Sequence, residues 1–201
     1  MNPKIWWYLA RGAGLTSWAL AAVTLVWGLL LSTRYFTKRP RPAWILDLHR
    51  TLGGLTVAFV GVHLVGLFAD GYVHFGPAQL LIPLASTWRP GAVAWGIVAL
   101  YLLIAIEVTS LWRRHLPASW WRRLHVVSIA VFPLGTIHAL TAGTDAGPLF
   151  RKVVLGVTAL LVFLWGLRLI APRWPGGRTQ AQVPPTRSQL RSPAPTKAPL
   201  A

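Results

Sequence analysis

The sequence predicts an all-α integral membrane protein, a helical bundle of five transmembrane helices with a disordered cytoplasmic tail. Hydrophobic residues make up 54% of the 201-residue chain and charged residues only 12%, against about 25% charged residues in a typical soluble domain. Five apolar runs each reach the ~20 residues that cross a bilayer as a helix. The charged residues lie mainly between these runs and after the last of them.

The predicted spans follow one another with short connections. They comprise residues 5–31, 44–69, 91–112, 120–142 and 149–171. Pro40 and Pro42 end helical structure before the second span. The connection at 70–90 contains several glycines and prolines, and we predict an interfacial loop there with a short helix over 79–84. A basic turn precedes the fourth span, and a short connection at 143–148 precedes the fifth.

The chain divides into a membrane domain and a tail. Residues 1–171 form the predicted membrane domain, and residues 172–201 form a basic, proline-rich tail that we expect to be disordered because it has little apolar surface to bury. Lysine and arginine cluster between the first two spans, before the fourth span and in the tail. The positive-inside rule therefore predicts a multi-pass cell-membrane protein with its amino terminus outside and its carboxyl terminus in the cytoplasm.

The composition excludes several classes of function. The net charge of +16 is distributed over segments that flank the spans, without a nucleic-acid recognition motif, so we expect membrane lipid and no nucleic acid as a partner. The absence of cysteine excludes disulfides, cysteine-ligated iron–sulfur clusters and c-type haem attachment. No glycine-rich nucleotide-binding motif is present, so no nucleotide-binding domain, and therefore no FAD or NAD(P)H domain, is visible in this chain.

Four histidines lie inside predicted spans, where ionisable residues are costly and usually functional. His49 and His63 are fourteen residues apart in the second span, which leaves them near one helical face and roughly 21 Å apart along the axis. His125 and His138 are thirteen residues apart in the fourth span. Because both spans run in the same direction, we expect His49 and His125 at the cytoplasmic level, with the other two histidines at the outer level.

Two imidazoles that face each other across a bundle suit the axial positions of haem iron, and two filled positions favour electron transfer over oxygen binding. Interhelical hydrogen bonding is the alternative role for such histidines. The spacing of thirteen leaves His125 and His138 about 140° apart on a straight helix, so we expect Pro133 to distort the helix between them. His74 and His115 fall in loops and are interpreted as ordinary polar residues.

Small and basic residues accompany the histidines. Gly53, Gly66 and Gly135 lie close to them in sequence, and serve either the close approach of a flat ligand or close helix packing. Arg11 lies roughly 9 Å inside the first span, near the expected depth of His63. We predict that Arg11 binds a carboxylate of an outer haem, the alternative being that its side chain extends to the membrane surface.

These features resemble the ferric reductase-like transmembrane domain family, which includes ferric reductases, NADPH oxidases and the haem-binding membrane subunit of the methionine sulfoxide reductase system. The resemblance rests on the two histidine spacings with one intervening span, and it covers residues 6–171. It implies two b-type haems, one held by His49 and His125 and the other by His63 and His138. Members often have six spans, whereas five are predicted here, and many continue into FAD- and NADPH-binding domains.

The resemblance implies a membrane b-type cytochrome that passes single electrons across the membrane or to a partner reductase. Such a chain is the electron-transfer component of an oxidoreductase, with a separate flavoprotein or a quinol as donor and a periplasmic or extracellular acceptor. One alternative is a quinol-linked haem subunit of a periplasmic reductase system. An alternative of a different class is a non-redox membrane haem carrier or scaffold.

Overall fold

The computed structural model describes residues 4–32, 43–71, 73–144 and 146–170, and all regular structure within these ranges is helical. The α-helices described are α1 (Ile5–Ser32), α2 (Ala43–Ala69), α3 (Pro77–Leu81), α4 (Pro90–Leu111), α5 (Ala118–Val126), α6 (Ser128–Ala142) and α7 (Pro148–Ile170), with a 3₁₀ helix at Arg113–His115. Five segments are long and apolar enough to cross a membrane, α5 and α6 together forming the fourth. The prediction of an all-helical membrane bundle with five spans is confirmed. The basic segment between the first two spans and the tail at 172–201 lie outside the described residues.

Four of the helical spans form a closed ring. α1 packs along α2, α4 packs along α6, and contacts of α1 with α6 and of α2 with α4 complete the ring. Trp18 on α1 donates its indole N–H to Thr136 Oγ on α6 at 2.9 Å, and Trp27 donates to the Ile45 carbonyl on α2 at 3.0 Å. α2 and α6 therefore occupy opposite corners of the ring.

α7 packs against the outside of this ring through an apolar cluster. Leu161 and Leu164 on α7 are buried together with Leu29 of α1 and Phe132 of α6. The remaining face of α7 is apolar and exposed, as Leu155 shows with 69% of its surface accessible. Apolar side chains that face outward along a whole helix match a hydrocarbon environment rather than water.

Gly66 brings α1 and α2 into close contact. A Cβ atom on Gly66 would lie 2.9 Å from the backbone nitrogen of Ala10, a distance that real side chains do not adopt. Small residues allow helix backbones to approach in this way inside membranes. Of the two roles considered for Gly66, the structure therefore shows helix packing.

The short helix in the 70–90 connection begins earlier than predicted. It is α3 at Pro77–Leu81 rather than 79–84. Pro77 occupies its first turn, where the missing N–H leaves no additional unpaired donor. Ile82 ends the helix with φ −103° and ψ 119°, because a residue that precedes proline is restricted to extended conformations and Pro83 follows it.

The fourth span is interrupted at Val127, between its two histidines. The Val127 N–H bonds to the Leu124 carbonyl at 3.0 Å, and the Ala130 N–H bonds to the Val127 carbonyl at 2.9 Å. These are i→i−3 bonds, which turn the chain by roughly 120° per residue instead of 100°. The additional rotation moves His125 and His138 towards a common face, so the distortion expected near Pro133 occurs on its amino-terminal side.

Candidate functional site

The first histidine pair joins α2 to α5. The ring centroids of His49 and His125 are 6.0 Å apart, and the ring planes are inclined at 74°. Trp121, one turn before His125, stacks against its imidazole with centroids 4.9 Å apart. The guanidinium of Arg113 lies 4.4 Å from the Trp121 ring centroid. This stack restricts the orientation of the His125 ring across the bundle from His49.

The second histidine pair joins α2 to α6. The ring centroids of His63 and His138 are 6.3 Å apart, and the ring planes are inclined at 82°. Nδ1 of His63 lies 2.7 Å from the Ala10 carbonyl oxygen, and Nδ1 of His138 lies 2.9 Å from that of Ala92. A carbonyl oxygen only accepts hydrogen bonds, so each Nδ1 donates and each Nε2 retains a lone pair. This tautomer ligates a metal through Nε2.

Three of the four histidines pack against glycines that the sequence analysis did not identify. His49 packs on Gly28, His63 on Gly14 and His138 on Gly96. A Cβ atom on Gly96 would lie 2.7 Å from Nδ1 of His138, and one on Gly14 would lie 2.9 Å from Nδ1 of His63. The glycines therefore leave the space that the imidazoles fill.

Two of these glycines, Gly14 and Gly96, expose the carbonyls that accept the hydrogen bonds of His63 and His138. In an α-helix the N–H of residue i+4 bonds to the carbonyl of residue i, and Gly14 holds this position relative to Ala10. Because Gly14 has no side chain, the second lone pair of the Ala10 carbonyl is accessible to a neighbouring helix. Gly96 has the same relation to Ala92. Gly14 and Gly28 on α1 are fourteen residues apart, as are His49 and His63 on α2. This equal spacing is the sequence signal that the glycines of α1 contact the histidines of α2.

The second pair borders a large cavity that also contains Arg11. The cavity has a volume of about 1050 Å³ and is lined by His63, His138, Arg11 and Gly135 among other residues. A Cβ atom on Gly135 would meet no atom within 4 Å. The Arg11 guanidinium lies 3.9 Å from the ring centroid of Trp7. Arg11 therefore lines the same cavity as the His63–His138 pair.

A smaller cavity lies at the other end of the bundle. It measures about 390 Å³ and is lined by Arg50, Ser110, Leu111, Arg113 and Arg114. Arg50 also lies 3.5 Å from the exposed carboxylate of Asp47. Several guanidinium groups around one cavity favour an anionic group there, because they bind carboxylates and phosphates.

The geometry and chemistry of both pairs fit the axial ligands of a haem. Two metal–nitrogen bonds of roughly 2 Å, extended by the ring radius at each end, place imidazole centroids roughly 6 Å apart. Within the described residues, no group of three or more His, Cys, Asp or Glu side chains is placed to hold a metal ion, whereas zinc takes three or four protein ligands. A haem supplies four nitrogens of its own and requires two from the chain.

Comparison with known families agrees with this chemistry. Residues 13–136 match the family model described as the ferric reductase like transmembrane component. The protein belongs to the ferric reductase-like transmembrane family. Ferric reductase-like domains typically bind haem, and the family indicates membrane electron transfer. The matched range contains three of the paired histidines and ends two residues before His138. No curated protein and no solved structure gave a significant match to the chain.

Replacing Gly14 by alanine should destabilise this ferric reductase-like bundle. The added methyl group must displace His63 or separate α1 from α2, and overpacking of this kind costs about 1–3 kcal/mol. Gly12→Ala on the same helix is the matched control, because a Cβ there would meet no atom within 4 Å. Thermal unfolding in detergent should show a lower midpoint for Gly14→Ala alone. Equal midpoints for the two variants would contradict the packing described for Gly14.

Proposed function

We propose that this ferric reductase-like protein is a membrane b-type cytochrome that passes single electrons through two stacked bis-histidine haems. The observation that carries the proposal is the pair of facing imidazole sets with centroids 6.0 and 6.3 Å apart. His49 and His125 would hold one haem, and His63 and His138 would hold the other. When bound, haem iron supplies the reversible one-electron couple.

The chain contributes orientation and basicity to this chemistry. With two imidazoles holding each haem, no position on the iron would remain open for oxygen, which would favour electron transfer. The bonds from Nδ1 of His63 and His138 to helix carbonyls hold each ring in place and increase its basicity as a ligand. The ligands on α2 are fourteen residues apart, which corresponds to roughly 21 Å along the helix.

The proposed orientation places the His49–His125 haem towards the cytoplasm and the His63–His138 haem towards the outside. It follows from the lysine and arginine distribution around the spans. A separate flavoprotein or a membrane quinol supplies the electrons, and a periplasmic or extracellular acceptor receives them. Comparing haem reduction by menaquinol with reduction by a flavoprotein and NAD(P)H distinguishes the two donors.

Replacing single histidines tests the proposed ligands directly. The purified protein should contain about two haems per chain with a dithionite-reduced b-type spectrum, since two bis-histidine sites are available. His49→Ala and His63→Ala should each remove about one haem, whereas His115→Ala, outside both pairs, should remove none. Absence of haem from the wild-type protein expressed with a haem supply would refute the proposal. Retention of both haems in both variants would refute the ligand assignment.

The inclination of the imidazole rings predicts a distinctive electron paramagnetic resonance spectrum. If the rings keep their inclinations of 74° and 82°, the upper two of the three lower-energy d orbitals of a bound ferric iron would be close in energy. The oxidised protein should therefore give strongly anisotropic low-spin signals at cryogenic temperature. Ordinary rhombic signals, typical of parallel ring planes, would show that the rings rotate when haem binds.

Arg11 is proposed to bind a carboxylate of the His63–His138 haem. Removing its positive charge should make reduction of that haem less favourable, on the order of 1 kcal/mol at a protein-like dielectric. Potentiometric titration of Arg11→Ala should show one midpoint lowered and the other unchanged. Two control variants should not lower a midpoint in this way. Arg11→Lys retains the positive charge, and Arg151→Ala removes an exposed arginine that bonds to the Ala146 carbonyl. Two unchanged midpoints in Arg11→Ala would exclude this role.

A further inference from the structure

His125 is the exception among the four paired histidines. The other three pack on glycines of a neighbouring helix, as described above. On α1 these glycines repeat at fourteen residues, but fourteen residues after Gly96 the helix α4 has Ser110. Because a Cβ on Gly96 would lie 2.7 Å from Nδ1 of His138, the Cβ of Ser110 at the corresponding position prevents an equally close approach by His125.

Ser110 and His125 lie on two segments that contact each other, α4 and α5. Arg113 lies over the ring of Trp121, and Trp121 stacks on His125. The two segments run in opposite directions. Ser110 lies three residues before Arg113, and His125 lies four residues after Trp121. Because the segments are antiparallel, both steps lead in the same direction along the bundle and reach a similar depth.

Ser110 and His125 each have a buried polar atom without a hydrogen-bond partner in the described part of the chain. These atoms are Oγ of Ser110 and Nδ1 of His125, and the same holds for Nδ1 of His49 and Nε1 of Trp121. The neighbouring Thr109 hydroxyl bonds back to the Ala105 carbonyl at 2.7 Å, which is the usual solution for a hydroxyl in a helix. The Ser110 hydroxyl does not bond to its own helix, so its hydrogen-bonding capacity remains for another group.

Among these four atoms, Oγ of Ser110 is the acceptor for His125, since Nδ1 of His49 carries the hydrogen when Nε2 is the ligand. His49 packs on Gly28 of α1, whereas Ser110 lies on α4, which contacts α5. The indole nitrogen of Trp121 is also buried without a partner among the described residues, but an indole N–H only donates. A serine hydroxyl both accepts and donates. Unsatisfied buried polar groups are costly, and a hydrogen bond from Nδ1–H of His125 to Oγ of Ser110 satisfies one group on each residue.

We propose that Ser110 is the positioning residue of the His49–His125 haem, its hydroxyl accepting the Nδ1–H bond of His125 when Nε2 ligates iron. This inference rests on the proposed two-haem function. It gives one ligand of this haem a rotatable hydroxyl partner, whereas both ligands of the other haem bond to fixed helix carbonyls. An acceptor at Nδ1 increases ligand basicity, which stabilises ferric iron relative to ferrous iron.

Substitution of Ser110 in the full-length, haem-loaded protein tests this role. Ser110→Ala should retain two haems and make the midpoint potential of one of them more positive by ~59 mV. This shift corresponds to a roughly tenfold change in the one-electron equilibrium constant. The shifted midpoint should be the one that remains in His63→Ala. Ser110→Thr should restore the wild-type value because it retains the hydroxyl. Thr109→Ala removes the adjacent hydroxyl, which bonds within its own helix, and should change neither midpoint.

The remaining outcomes also decide the question. If Ser110→Ala binds two haems with unchanged midpoints and resonance spectrum, the inference fails while the proposed function stands. If Ser110→Ala loses the haem, recovery in Ser110→Thr supports the hydroxyl, and loss in both variants overturns its role. A wild-type protein without a haem on His49 and His125 refutes the proposed function itself.

Discussion

An imidazole inside a membrane needs a hydrogen-bond acceptor for its Nδ1–H, and the packing around His63 and His138 meets this requirement. Hydrocarbon supplies no acceptor, and most carbonyls of a helix are shielded by side chains one turn further on. Glycine at the i+4 position removes that shield, as Gly14 does for Ala10 and Gly96 does for Ala92. The close packing of α1 on α2 and of α4 on α6 therefore serves the histidines as well as the fold.

The sequence predicted the elements and the histidine pairs but not the surfaces against which they pack. Apolar length was sufficient to predict five spans, and equal spacing in spans of the same direction was sufficient to place His49 opposite His125. The glycines close to the histidines in sequence did not predict which residues contact the imidazoles, since Gly66 packs against Ala10 and not against an imidazole ring. The glycines that contact the imidazoles lie on other helices, and their distance in the chain concealed the relation.

Local departures from ideal helix geometry account for the remaining differences between the sequence prediction and the structure. A straight helix does not align His125 with His138, and the tight turn at Val127 supplies additional rotation between them. Pro133 removes a backbone donor inside α6, but the observed change of winding lies six residues upstream, at Val127. The position of α3 likewise depends on the proline after Ile82. Periodicity alone predicts such regions poorly because it assumes constant rotation per residue.

The ring of four helices has a consequence for biosynthesis. On the proposed ligation, each haem joins opposite corners of the ring, α2 on one side and the fourth span on the other. Neither haem would acquire its second ligand until the fourth span has entered the membrane, so haem loading would follow insertion of most of the chain. The two haems would then connect α2 to the fourth span at two depths and would limit sliding of α2 along its axis.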